Sequence, residues 1–65
     1  MKILMVGSGA REHAIAKALN KTADVYTYMG RKNPGLARIS KNYTVNDESN
    51  FNEIIKFAQE NNVEL

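Results

Sequence analysis

Lys2-Ile3-Leu4-Met5-Val6-Gly7-Ser8-Gly9-Ala10-Arg11-Glu12-His13-Ala14 decides the fold of this chain. Ile3 to Val6 is an unbroken apolar run, the pattern of a parallel strand buried on both faces. Gly7-Ser8-Gly9 stops it at once, and a helical repeat begins at Ala10. Strand, glycine turn and helix form the opening βα unit of a nucleotide- or phosphate-binding sheet. Glycines permit a tight turn and close backbone approach, while a helix start presents unpaired N–H groups and a positive dipole end to an anion. Arg11 in the first turn adds a charge suited to bidentate phosphate contact.

The turn departs from the two familiar phosphate loops. Glu12 stands where the dinucleotide motif has its third glycine, and no Gly-Lys-Ser/Thr follows as a P-loop requires. Two glycines in a tight turn also have a purely structural reading. Glu12 itself is either a ligand contact or a favourable first-turn acid, the latter contributing about 0.3–1 kcal/mol. His13 is the only histidine, and with no cysteine present it predicts packing near the loop rather than a metal site or a catalytic constellation.

Outward from this unit, the first helix is expected over Ala10 to Asn20 or Lys21, with Ala10, Ala14, Ile15, Ala18 and Leu19 as its apolar stripe. Val25-Tyr26-Thr27-Tyr28-Met29 is β-branched and aromatic, hence a second strand. It runs into Gly30-Arg31-Lys32-Asn33-Pro34-Gly35, where Asn33 suits the cap of a short helix and Pro34 its first position. Leu36, Ala37 and Ile39 dock that turn. Tyr43-Thr44-Val45 reads as a short strand or extended link. Asn50 with Glu53 has the form of a capping box for a last helix, whose Phe51, Ile54, Ile55 and Ala58 share a face beside Phe57. Val63-Glu64-Leu65 reads as a strand cut short. The fold class is therefore α/β, a Rossmann-like parallel sheet flanked by helices and incomplete at the C-terminus.

The 65 residues make one small domain, burying about 60% of the surface its unfolded form exposes. The absence of cysteine excludes disulfides and Cys-ligated zinc and fits a reducing compartment. No apolar stretch nears the ~20 residues that span a bilayer, and the N-terminus has no secretory pattern. A soluble, cytoplasmic chain without membrane partners is expected. Charge is uneven. Residues 25–46 carry Arg31, Lys32, Arg38 and Lys41 and no acid, whereas 47–65 set Lys56 against Asp47, Glu48, Glu53, Glu60 and Glu64. The basic stretch is too small, and too poor in interleaved aromatics, for a nucleic-acid surface. In open α/β sheets ligands lie beyond the carboxyl ends of the strands. The loops Gly7–Glu12 and Gly30–Gly35 both end there, so Arg11, Arg31 and Lys32 are placed to converge on one anion.

Gly7-Ser8-Gly9-Ala10-Arg11-Glu12-His13-Ala14 closely resembles the opening of the phosphoribosylamine–glycine ligase (glycinamide ribonucleotide synthetase) family, which runs strand–Gly-x-Gly-x-Arg-Glu-His-Ala. Asn33-Pro34-Gly35 matches the family's loop after its second strand. The resemblance covers the whole chain and implies residues 1–65 to be the N-terminal part of a pre-ATP-grasp domain, with the ATP-grasp and C-terminal domains absent. It implies a C–N ligase of purine biosynthesis that joins glycine to phosphoribosylamine through a glycyl phosphate. By residue match, Gly7, Ser8, Gly9, Ala10, Arg11 and Glu12 lie against the sugar phosphate, and Asn33, Pro34 and Gly35 shape the adjoining wall. ATP and Mg²⁺ or Mn²⁺ belong to the parent enzyme, with no cofactor, metal site or catalytic residue in this fragment. The chain alone is expected to be inactive and to have the remainder of the ligase as partner. Two other readings stand beside this one: an NADP-binding half-domain using Arg31 and Lys32, and a non-catalytic docking fragment.

Overall fold

A computed structural model describes residues 1–63. The elements are β1 (Lys2–Val6), α1 (Ala10–Leu19), β2 (Asp24–Met29), α2 (Pro34–Ile39), β3 (Asn42–Val45) and α3 (Phe51–Glu60). The three strands form a parallel sheet in the order β1-β2-β3. This is the α/β sheet flanked by helices that the opening stretch predicts. The third segment is a true strand, one residue longer than its apolar core. Glu64 and Leu65, in the expected last strand, lie outside the described residues, and Val63 packs against the core after α3.

β2 is the spine. Its residues from Val25 to Met29 are all buried, and they alternate between two cores, as strand geometry requires. Val25 and Met29 join Ala16 of α1 and Leu36 of α2 on one face. Tyr26 and Tyr28 join Phe57, Ala58 and Val63 on the other. Thr27, the buried polar residue, hydrogen-bonds Ser40 Oγ at 2.6 Å, and Ser40 donates in turn to Leu36 O at 2.6 Å. A buried hydroxyl is thereby satisfied rather than stranded.

Both longer helices keep only part of the expected stripe: Leu19 of α1 and Ile54 and Ala58 of α3 pack on the core as expected. In α1 the buried residue is Ala16, flanked by half-buried Glu12, His13 and Leu19, while Ala10, Ala14, Ile15 and Ala18 are exposed. With alanine at 10, 14, 16 and 18, α1 has no strong apolar side, so its docking partner sets the phase. In α3 Phe57 and Ala58 are buried, whereas Phe51 is 72% exposed and Ile55 42%. Phe57 meets Tyr28 edge-on, with centroids 6.2 Å apart and planes at 64°. That aromatic contact outweighs the burial of Phe51.

Register brings the ends of the strands level. Val6 lies opposite Tyr28, and Met29 opposite Val45. The loops after β1, β2 and β3 therefore share one rim of the sheet. No helix among the described residues is long and apolar enough to cross a membrane.

Candidate functional site

The turn after β1 is anchored from beneath and covered from one side. Gly7 N–H donates to Tyr28 O at 3.0 Å. Gly7 has φ +149°, a conformation side chains resist, and an ideal Cβ there would lie 2.6 Å from Glu12 Cγ. A Cβ on Gly9 would lie 2.8 Å from Glu12 Oε2. Glu12 thus folds back over both glycines from the position where a dinucleotide site has its third glycine. Gly9 begins α1 without a side-chain cap. Among the described residues, the N–H groups of Ser8, Gly9, Ala10, Arg11 and Glu12 have no acceptor. Gly9, Ala10 and Arg11 are exposed, so water or a ligand must satisfy their amides.

The second loop is bound to the first. Asn33 Nδ2 donates to Ser8 O at 3.0 Å, while Asn33 Oδ1 accepts from Gly35 N at 3.0 Å and Leu36 N at 3.2 Å. One side chain caps α2 and ties two loops, and this leaves its amide turned to protein groups. Pro34 occupies the first turn of α2. Gly35 lies under His13: an ideal Cβ would fall 2.5, 2.7 and 2.9 Å from Cε1, Nε2 and Nδ1 of the ring. The histidine therefore packs between α1 and α2.

The third loop supplies a group that sequence reading counts only among the acids of residues 47–65. Glu48 Oε2 accepts from Gly30 N at 2.8 Å and, more weakly, from Ser8 Oγ at 3.5 Å. A Cβ at Gly30 would collide with Glu48 Oε2, so this position needs glycine for close approach. Ser8, Gly30, Arg31, Val45, Asn46, Asp47 and Glu48 line an open cleft of about 650 Å³ on the rim. Asp47 spends one carboxylate oxygen on Ser49. Its Oδ1 accepts from Ser49 N at 2.9 Å and Ser49 Oγ at 2.7 Å, and these bonds hold its carboxyl below the ordinary value. Tyr28 OH donates to Asp47 O at 3.0 Å. Burial, then the charges of Glu53, Asp47 and Glu48, raise the phenol's pKa, keeping it a donor. Of the three expected cations, Arg31 lines the cleft, Arg11 is exposed beside the first turn, and Lys32 turns away, with Nζ 5.9 Å from the Tyr43 ring centroid.

The family model for the phosphoribosylglycinamide synthetase N domain matches residues 1–65. The chain belongs to this family. Among its relatives, the phosphoribosylamine–glycine ligase of Methanoregula boonei is 51% identical over 65 residues, covering 97% of this chain and 15% of its own length. Those of Methanobrevibacter smithii and Pyrococcus horikoshii are 45% and 47% identical, each covering 100% of this chain and 15% of the relative. The chain thus spans about 15% of the length of the curated relatives it matches. No solved structure matches it.

In this synthetase N domain the structure brings Ser8 and Asn33 into direct contact and sets Glu12 across Gly7 and Gly9. Pro34 and Gly35 follow Asn33 at the start of α2, Gly35 under His13, and are not among the residues that line the cleft. Glu48 is the residue that sequence reasoning missed. The signal available was topological: a third parallel strand ends on the same rim, so the acid three residues past Val45 falls beside the first two loops.

Proposed function

We propose that the chain is the N-terminal part, residues 1–65, of the pre-ATP-grasp domain of an ATP-dependent ligase that joins glycine to phosphoribosylamine, and that it supplies the sugar-phosphate side of that site. The supporting observation is the set of acceptor-free amides from Ser8 to Glu12 on a rim shared with the Asn33 loop. Free amides at a helix start favour a phosphate, and Arg11 beside them adds the charge. In this reading the backbone amides of Ser8, Gly9, Ala10, Arg11 and Glu12 contact the ligand, Gly7 sets the turn beneath them through its bond to Tyr28 O, and Asn33, Pro34 and Gly35 build the wall. The chain's own task is to bind and orient.

ATP and Mg²⁺ or Mn²⁺ act in the parent enzyme outside this segment. No group of three His, Cys, Asp or Glu side chains fit to hold a metal occurs among the described residues. The remainder of the ligase is the partner. Among the described residues β1 pairs with β2 alone, and Val6 and Ile15 are 42% and 47% exposed, leaving apolar surface for that partner. The NADP reading is disfavoured, because it needs two cations after β2. Lys32 turns to Tyr43, and Glu48 places a carboxylate at Gly30.

The test is a titration with ribose 5-phosphate followed by amide chemical shifts. The amides of Ser8 to Glu12 are expected to move and saturate. Shifts confined to other regions, or a stronger response to NADPH, would refute the reading. The chain alone is expected to form no ADP from ATP, glycine and phosphoribosylamine.

A further inference from the structure

Two carboxylate oxygens of the cleft-lining residues, Glu48 Oε1 and Asp47 Oδ2, take no hydrogen bond among the described residues. Glu48 Oε2 is engaged by Gly30 N and Ser8 Oγ, whereas Oε1 has no hydrogen-bond partner among the described residues. Asp47, its neighbour, is held by Ser49 and titrates low. Of the two acids, Glu48 is the one fixed beside the first turn, held in place by a backbone amide that only glycine at 30 allows to come so close. It stands 3.5 Å from Ser8 Oγ, at the start of the acceptor-free amides. One rim thus presents donors and the Arg31 cation for an anion, and beside them a fixed anionic acceptor for hydroxyl or amine hydrogens.

We propose that Glu48 is a specificity-determining residue that makes this rim select a polyhydroxylated sugar carrying a single phosphate over bare phosphate or a polyphosphate. The inference rests on the sugar-phosphate reading above and adds to it the residue that recognises the sugar. The phosphate takes the amides and the sugar hydroxyls donate to Glu48. A second phosphate placed there meets like charge instead. A hydrogen bond to a charged group contributes about 1.5–3 kcal/mol, which is about a tenfold to hundredfold preference.

The experiment compares dissociation constants of ribose 5-phosphate, inorganic phosphate and pyrophosphate, read from amide shifts, for the wild type, Glu48→Gln and Glu48→Ala. Gln retains an acceptor for Gly30 N–H but replaces the free oxygen with an NH₂ donor, so it removes the recognition while preserving the loop. The wild type is expected to prefer ribose 5-phosphate at least about tenfold. Both variants should lose that preference while binding inorganic phosphate as well as, or better than, the wild type. A wild type without the preference, or variants that retain it, would overturn the role of Glu48 and leave the anion site standing. A wild type whose Ser8–Glu12 amides respond to none of the three ligands would refute the sugar-phosphate reading itself, and this inference with it.

Discussion

The contact between His13 and Gly35 makes a sharp test of how the two loops are held together. Gly35→Ala is an unusual helix substitution here. Gly35 has no positive φ, and its N–H bond to Asn33 Oδ1 survives the change. By backbone entropy alone the alanine stabilises by about 0.4–1 kcal/mol. Against this, its Cβ would lie 2.5, 2.7 and 2.9 Å from three atoms of the His13 ring, when carbon contacts are comfortable at about 3.5–4.0 Å. The ring must move by about 1 Å or swing to solvent. Overpacking of this kind costs about 1–3 kcal/mol, and the swing limits it to whatever packing the ring contributes.

The net expectation for Gly35→Ala is a loss of about 0–2.5 kcal/mol in the wild-type background. In a His13→Ala background the same change should stabilise by about 0.4–1 kcal/mol. The sign reversal is the signature, with a coupling energy of about 1–3 kcal/mol, within the range of touching residues. Urea and thermal unfolding followed by far-ultraviolet circular dichroism measure all four corners of the cycle. In a domain of this size 1 kcal/mol moves Tm by about 4–8 °C. Additivity within about 0.5 kcal/mol, or an alanine at 35 that stabilises both backgrounds equally, would show that His13 does not rest on Gly35.

Two further outcomes follow from the same contacts. Asn33→Ala removes the α2 cap and the bond to Ser8 O together. It should cost about 1–3 kcal/mol and broaden the amides of Ser8 and Gly9, whereas a variant as stable as the wild type with unchanged spectra would contradict the tie. Asp47 titrates below its ordinary 3.8 because Ser49 bonds its charged form. Its stabilisation is thus complete above that value and fades as pH falls through the lowered one. Melting curves from pH 6 to 2 should show a shallower acid loss in Asp47→Asn, and parallel curves would exclude the contribution.

Strand identity was legible because β2 is rich in β-branched and aromatic residues, with its glycine loop immediately after. The α2 cap was equally plain from Asn33-Pro34, since capping chemistry is local. Helix phase was not. Four alanines give α1 no preferred side, and its observed phase puts Ala16 against Val25, Met29 and Leu36 and His13 over Gly35, all non-local contacts. In α3 the choice between burying Phe51 and burying Phe57 depended on Tyr28 across the core. Glu48 was hidden for a related reason: a charged residue at a helix start looks the same in sequence whether it faces water or reaches 18 residues back to Gly30.

The acceptor-free amides gain their meaning from what surrounds them. Each of the four glycines is pressed by one side chain: Gly7 and Gly9 by Glu12, Gly30 by Glu48, Gly35 by His13. Gly7 N is fixed to Tyr28 O, Ser8 O to Asn33, and Tyr28 OH to Asp47 O. The backbone around the first turn is therefore held from β2, α2 and the third loop at once. A free N–H on a floppy turn must be ordered when it binds, and that ordering opposes affinity. Here the fold has already ordered the turn through the hydrogen bonds of its neighbours while leaving Ser8 to Glu12 unspent. Such preorganisation is what an anion site requires.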